Sequence, residues 1–311
     1  IARLIQQGQL IGPRLYTSGG VLSATGGHGD WGGPTDTALN MDYGAMVEQS
    51  YIVDGRDDVI EASRRNFRNG AHFTKIMAGG GVASLYDPLE IYAATQEEVE
   101  AAVEIASEYG TYVAIHAYND QSYTRSLDAG VRSFEHGFLV SEDIVKRMAK
   151  MDQDIAWSFQ CYMSVATFGD YDSMPEFFTH EQKLKGVAVG EGARNAAAMM
   201  LKHDVFMVGG SDMFSPAYGP RMKEDITCRV NMVDYPAAHA LKMSTGNAGI
   251  VLKWSKVLDP YPTYHIGRIA PDSYADILLW DGNPLENIDL ILDESKLHLV
   301  MKDGVIYKDI M

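Results

Sequence analysis

The sequence predicts an α/β protein: a (β/α)8-type barrel with about six of its strands present, followed by a small C-terminal β unit. Three observations predict it. Short apolar stretches alternate with amphipathic helical ones from Arg14 to Leu252, the pattern of a parallel sheet with crossover helices. Lys75, His116, His136 and Asp212 lie in or end apolar stretches, at gaps of 41, 20 and 76 residues. One strand-plus-helix unit takes about 20–40 residues in a ~250-residue barrel, so the gaps read as one unit, one short unit and two units. After Trp254 the composition changes, with Pro260, Pro262 and Pro271 breaking helices ahead of strand-like runs. Residues 1–254 are therefore expected to form the barrel portion and residues 255–311 the β unit.

Taken in order, Ile1 to Gln9 has the character of a helix end, stopped by Gly12-Pro13. Arg14–Ser18 reads as a short strand. A Gly-rich loop follows from Gly19 to about Tyr43 and contains Thr25-Gly26-Gly27-His28-Gly29-Asp30; loops this long are usually functional or disordered. Asp54–Asn69 is an amphipathic helix, with Val59, Ala62 and Phe67 close to one face. Ala71–Ala78 is an apolar strand that runs into Gly79-Gly80-Gly81, glycines that let backbone approach a ligand. Gln96–Tyr109 is a helix with Thr95 as N-cap, Glu98 at the capping-box position and Gly110 as its stop. Thr111–His116 and Val131–Glu135 are strands, separated by a helix over Asp120–Asp128 that Gly130 ends. Ser141 caps a helix to about Lys150, Ile155–Phe159 is a strand, His180–Lys202 is a long helix, and Val205–Gly209 is the last strand of the series. Helices near Met222–Met232, Pro236–Lys242 and Thr245–Leu252 close this part. In the tail, Ala275–Trp280 and Leu297–Lys302 read as strands, and Asp303-Gly304 as the turn into Val305-Ile306-Tyr307.

Composition sets outer bounds. The chain has 311 residues, 46% of them hydrophobic, ample for a large core. Its 26 basic and 42 acidic residues give a formal net charge of −16, which repels nucleic acid and anionic membrane. No stretch approaches the ~20 apolar residues of a membrane span. Cys161 and Cys228 are the only cysteines, and two distant cysteines in a chain this size suggest reduced thiols. A cytoplasmic location is favoured; a periplasmic or secreted one stays open if a signal peptide precedes the chain.

A lysine in a buried strand is costly unless paired, modified or bound. Lys75 could instead snorkel to the surface or pair with a core carboxylate. Two strand-end histidines are plausible divalent-metal ligands, and an aspartate nearby can bind a metal and accept a proton from its water. Each signal alone is weak: Glu135-His136 could be an ordinary ion pair and Asp212 a helix cap. Four such residues at successive strand ends carry more weight than any one of them.

At these residues the sequence resembles the amidohydrolase superfamily, and within it the imidazolonepropionase-like, prolidase-like metal-dependent hydrolases. The carrying motifs are Gly-Pro-Arg-Leu-Tyr-Thr-Ser-Gly at 12–19, Thr-Gly-Gly-His-Gly-Asp at 25–30 and Lys-Ile-Met-Ala-Gly-Gly-Gly at 75–81. His-Ala-Tyr at 116–118, Phe-Glu-His-Gly at 134–137, Gly-Ser-Asp at 210–212, Ser-Thr-Gly-Asn-Ala at 244–248 and the stretch at 267–285 continue the resemblance. It implies a (β/α)8 barrel carrying a small β-sandwich built from both chain ends. It also implies a binuclear centre, usually two zinc ions, bridged by Lys75 carboxylated by carbon dioxide. His116 and His136 would bind one metal; Asp212 would bind the other and shuttle the proton. Metal-activated hydroxide would then cleave a C–N amide bond of a small dipeptide or N-acyl amino acid. Tyr118 would touch the substrate or merely pack at the barrel mouth. His28, on the long loop, would face the substrate or hold the loop together.

One departure matters: the family's His-x-His pair is missing, since none of the nine histidines has that spacing. With six strands counted where eight are needed, this leads to the expectation of a missing N-terminal segment of about one hundred residues. That segment, or a neighbouring subunit of a homo-oligomer, is the expected protein partner. A cyclic-amide hydrolase of the imidazolonepropionase type and an inactive barrel serving as a binding scaffold are the competing functions.

Overall fold

The computed structural model describes residues 1–33, 47, 49–213, 219 and 221–310. Seven parallel strands form one sheet: β1 (Val21–Ser23), β2 (Ser50–Ile52), β3 (Thr74–Met77), β4 (Val113–Ala117), β5 (Ser133–His136), β6 (Ala156–Phe159) and β7 (Met207–Gly209). Their order is β2-β1-β3-β4-β5-β6-β7, so from β3 onward sequence neighbours are spatial neighbours. Helices return the chain between them: α1 (Ala2–Gln6) precedes the sheet, and α2 (Arg56–Arg68), α3 (Gln96–Glu108), α4 (Asp120–Ala129), α5 (Glu142–Ala149) and α6 (His180–Lys202) cross over it. After β7 come α7 (Met222–Asn231), α8 (Ala237–Lys242) and α9 (Ala248–Leu252). A separate antiparallel sheet, β8 (Ile277–Trp280), β9 (Leu297–Lys302) and β10 (Val305–Asp309), ends the chain. This is the α/β architecture expected, with its small C-terminal β unit. No helix among the described residues is long and apolar enough to cross a membrane.

Local chemistry accounts for the helices. Thr95 and Glu98 make the reciprocal capping box of α3, and Thr179 and Gln182 make that of α6. Gly130 closes α4 in the left-handed conformation at φ 89°. In α2 the buried residues Val59, Ala62, Ser63, Asn66 and Phe67 follow the three- and four-residue spacing of one helix face. Asn66 carries more than packing: its side chain accepts from Gly20 N at 2.9 Å and donates to Gly20 O at 2.7 Å, anchoring the entry to β1.

Three readings are corrected. The first strand is Val21–Ser23, not Arg14–Ser18. Arg14 instead binds Asp276 through two hydrogen bonds of 2.8 and 3.0 Å and lies 3.8 Å over the Tyr274 ring, while Tyr16 donates to Asp259. That segment ties the C-terminal region to the barrel. A further strand, β2, lies in parallel beside β1; of the long loop expected from Gly19, the part from residue 34 to Tyr43 lies outside the described residues. The cysteines are not free thiols: Cys161 and Cys228 form a disulfide that joins the end of β6 to α7. They are 67 residues apart in sequence, and the packing of α7 against the helical turn Tyr162–Thr167 after β6 brings them together.

The register divides the sheet's two faces. Ile76, Ile115, Phe134, Trp157 and Met207 stand in one row across β3 to β7, each almost wholly buried in the main core with the helices. One residue along, the row on the opposite face reads Met77, His116, Glu135, Ser158 and Val208. Lys75, two residues before Met77, shares that second face because strand side chains alternate. The polar interior row is the floor of the candidate site.

Candidate functional site

The site grows from the C-terminal ends of β3, β4 and β5. Past Met77 the chain enters Gly79-Gly80-Gly81, where the last two positions leave no room for a side chain. A Cβ on Gly80 would stand 1.9 Å from Pro88 O, and one on Gly81 1.9 Å from His28 Nδ1. This close backbone lets His116 reach Gly80 O with Nε2 at 2.9 Å. A carbonyl only accepts, so His116 Nε2 carries the proton and Nδ1 keeps its lone pair.

Strand alternation alone would send His136 toward the helices. Its backbone instead turns left-handed at φ 70°, followed by Gly137 at φ 67°. For a residue with a Cβ this conformation is costly and occurs chiefly where function or packing demands it. The turn brings the His136 ring within 4.6 Å of the His116 ring and 5.4 Å of the Tyr118 ring, centroid to centroid. Trp157 Nε1 donates to His136 O and fixes the turn from β6. Asp212, beyond β7, is also left-handed at φ 53°. From the loop after β1, His28 stacks on His116 with centroids 4.1 Å apart and planes 16° from parallel.

Lys75 touches no carboxylate at ion-pair distance among the described residues, and its Nζ lies 3.4 Å from Ile115 O. Burial lowers its pKa, opposed by the charges of Glu135 and Asp212. Lys75 nevertheless keeps partial solvent contact and Asp212 an exposed surface. Burial holds His116 neutral, helped by the neighbouring His28, His136 and Lys75, and holds His136 down to about 3, with Lys75 next in effect. Burial pushes the Asp212 carboxyl up, opposed by Lys75 and His28. Tyr118 is raised by burial and by the charges of Asp212 and Asp87, so its hydroxyl stays protonated.

The six residues singled out from the sequence, Lys75, His116, His136, Asp212, Tyr118 and His28, thus lie in one electrostatically coupled cluster. Four contributors had no distinct sequence signal. Gln160, 3% exposed, donates to Glu135 Oε2 at 3.2 Å and Ser158 Oγ at 2.9 Å. Ser84, Asp87 and Lys185 hold the loop beside His28. An aspartate in a loop and a lysine on a helix look like ordinary surface residues until the fold joins them.

Among the described residues, no group of three or more His, Cys, Asp or Glu side chains has metal-holding geometry. The donor types nonetheless fit a divalent metal: two neutral imidazoles whose rings touch, a carboxylate whose charge acts on Lys75, and an amine that burial drives toward the uncharged, nucleophilic form.

The profile of the amidohydrolase family matches residues 1–307. Ochratoxinase of Aspergillus niger is 27% identical over 321 residues, an alignment covering 99% of this chain and 63% of that protein, so the chain spans less than two thirds of the curated relatives' length. Among solved structures, a prolidase complexed with N-methylphosphonate-L-proline superposes at a TM-score of 0.85 with 28% identity, over 99% of this chain and 72% of that one. An Xaa-Pro dipeptidase with methionine bound in its active site superposes at 0.82 with 26% identity, over 99% and 71%. With the match running almost from end to end, this chain belongs to the amidohydrolase family.

Proposed function

We propose that the protein is a metal-dependent hydrolase that cleaves the C–N amide bond of a small dipeptide or N-acyl amino acid. The observation that carries this reading is the packing of the His28, His116 and His136 rings beside Lys75 and Asp212. The named relatives support it as well, since a prolidase, an Xaa-Pro dipeptidase and ochratoxinase share this chain's fold. His116, His136, Asp212 and a carboxylated Lys75 would hold the metal, with zinc the expected ion. When bound, the metal would polarise the carbonyl and make water a better nucleophile near neutral pH.

The chain's own residues divide the remaining work. Water adds to the amide carbonyl carbon, its proton passes to the Asp212 carboxylate, and the C–N bond breaks as Asp212 returns that proton to the departing nitrogen. Tyr118, held protonated, donates a hydrogen bond to the carbonyl or to the free carboxylate of the substrate. His28 orients the substrate from the loop side. Glu135, held by Gln160, which also donates to Ser158, supports the Lys75 charge.

A library of dipeptides and N-acyl amino acids, assayed with full-length protein beside a metal determination, tests this. Hydrolysis of library members with stoichiometric divalent metal is expected. Full-length protein that binds no metal and cleaves nothing would overturn the proposal and favour a binding scaffold.

A further inference from the structure

We propose that Asp87 and Lys185 are positioning residues that fix the Nδ1–H tautomer of His28 and hold in place the glycine loop whose Gly80 carbonyl sets the opposite tautomer on His116; as a catalytic role this rests on the hydrolase reading above. Asp87 is fully buried. Its Oδ2 accepts from Gly81 N at 2.7 Å and lies 3.6 Å from His28 Nδ1, while its Oδ1 has no hydrogen-bond partner among the described residues. A buried carboxylate is costly unless compensated. The compensating charge comes from α6: Lys185 Nζ stands 4.0 Å from Asp87 Oδ1 and donates to Gly81 O at 2.6 Å, Ser84 O at 2.9 Å and Asp87 O at 3.2 Å. One ammonium thus gathers three carbonyls of the glycine loop and faces the carboxylate that holds the same loop from inside.

The loop in turn addresses both imidazoles. Ser84 Oγ lies 2.6 Å from His28 Nδ1, on the side where the Asp87 carboxylate sits. A neighbouring carboxylate favours the proton on Nδ1, leaving Nε2 of His28 with its lone pair and no hydrogen-bond partner among the described residues. His116 is set the other way, because Gly80 O requires its proton on Nε2. Two stacked rings therefore present unlike nitrogens, His28 through Nε2 and His116 through Nδ1. Partners behind an imidazole commonly fix its tautomer in this way.

The test uses Asp87→Asn and Lys185→Met in full-length protein labelled with 15N-histidine. Tautomers are read by long-range 15N–1H correlation at a pH where both rings are neutral, and kcat and KM are measured on the best library substrate. In the unaltered protein one of these rings should be the Nδ1–H form and the other the Nε2–H form. Each variant should lose the Nδ1–H preference of His28 and lower kcat by about tenfold to a hundredfold with KM little changed. Ser84→Ala, which removes only the hydroxyl, should move the His28 signals alone and covers the case in which Asp87→Asn does not fold. Folded variants that keep both tautomers and the parent kcat would overturn the proposal. If the unaltered protein cleaves nothing, the hydrolase reading fails, and the tautomer measurement still decides the positioning role.

Discussion

Gly81→Ala probes the coupling between the glycine loop and the imidazoles. The backbone at Gly81 is not left-handed, so alanine meets no conformational penalty there. The difficulty is space. The new Cβ would stand 1.9 Å from His28 Nδ1 and 2.1 Å from Cε1, whereas ordinary contact begins at 3.4 Å, so ring and loop must separate by about 1.5 Å, the difference between 3.4 and 1.9 Å. His28 cannot slide freely, because it stacks on His116 at 4.1 Å and is held by Ser84 at 2.6 Å. Overpacking of this kind costs roughly 1–3 kcal/mol. A displacement beyond 1 Å at a reacting group costs on the order of 10²-fold in activity. Thermal unfolding and kcat/KM should both fall in Gly81→Ala. Gly246→Ala is the control, since its nearest neighbour is 3.7 Å away and its backbone is not left-handed, and it should change neither. Gly81→Ala with parental melting and parental kcat/KM would show that His28 is not seated under this glycine.

Three further outcomes are expected. Lys75→Ala should abolish hydrolysis, with acetate or another short carboxylate restoring part of it; substantial activity without additive would rule out a bridging carbamate. Removing the Cys161–Cys228 disulfide by Cys161→Ala with Cys228→Ala should lower stability by about 4 kcal/mol on the loop-entropy estimate for 67 residues, read by denaturant unfolding; a loss below about 1 kcal/mol would place the constraint elsewhere. Glu142 is held down to about 2 from 4.5 by hydrogen bonds with Lys202 and His203 and by the charge of Lys146. Its folded pKa is depressed, so its contribution is complete above pH 4.5 and lost as pH falls towards 2; melting of Glu142→Gln should be less pH-dependent in that window, and an unchanged slope would deny the linkage.

Much of the architecture is local and therefore legible in the sequence. The capping boxes at Thr95 and Thr179, the left-handed stop at Gly130 and the Asp303-Gly304 turn are each specified within a few residues. The helix face of α2 and the apolar strands β3 to β7 follow from periodicity, because a side chain's neighbour on a helix or strand is fixed by its spacing. Lys75, His116, His136 and Asp212 stood out for a related reason: polar groups at the ends of apolar strands conflict with their local setting, and such conflicts concentrate at functional or strained sites.

What only the tertiary structure decided involves partners far apart in the chain. Arg14–Ser18 has the residues of a strand, yet Arg14 is taken by Asp276, 262 residues away, and the sheet begins at Val21. Cys161 and Cys228 meet because α7 packs against the helical turn Tyr162–Thr167 that follows β6. Lys185 reaches the glycine loop across 98 to 104 residues. His136 joins the site through a left-handed turn that its own residue type disfavours, imposed by packing around Gly137 and Trp157. Spacing along the chain encodes which face a side chain takes; which distant group waits on that face is set by the packing of whole elements, and the charges around this site and the Cys161–Cys228 link elsewhere belong to that second kind.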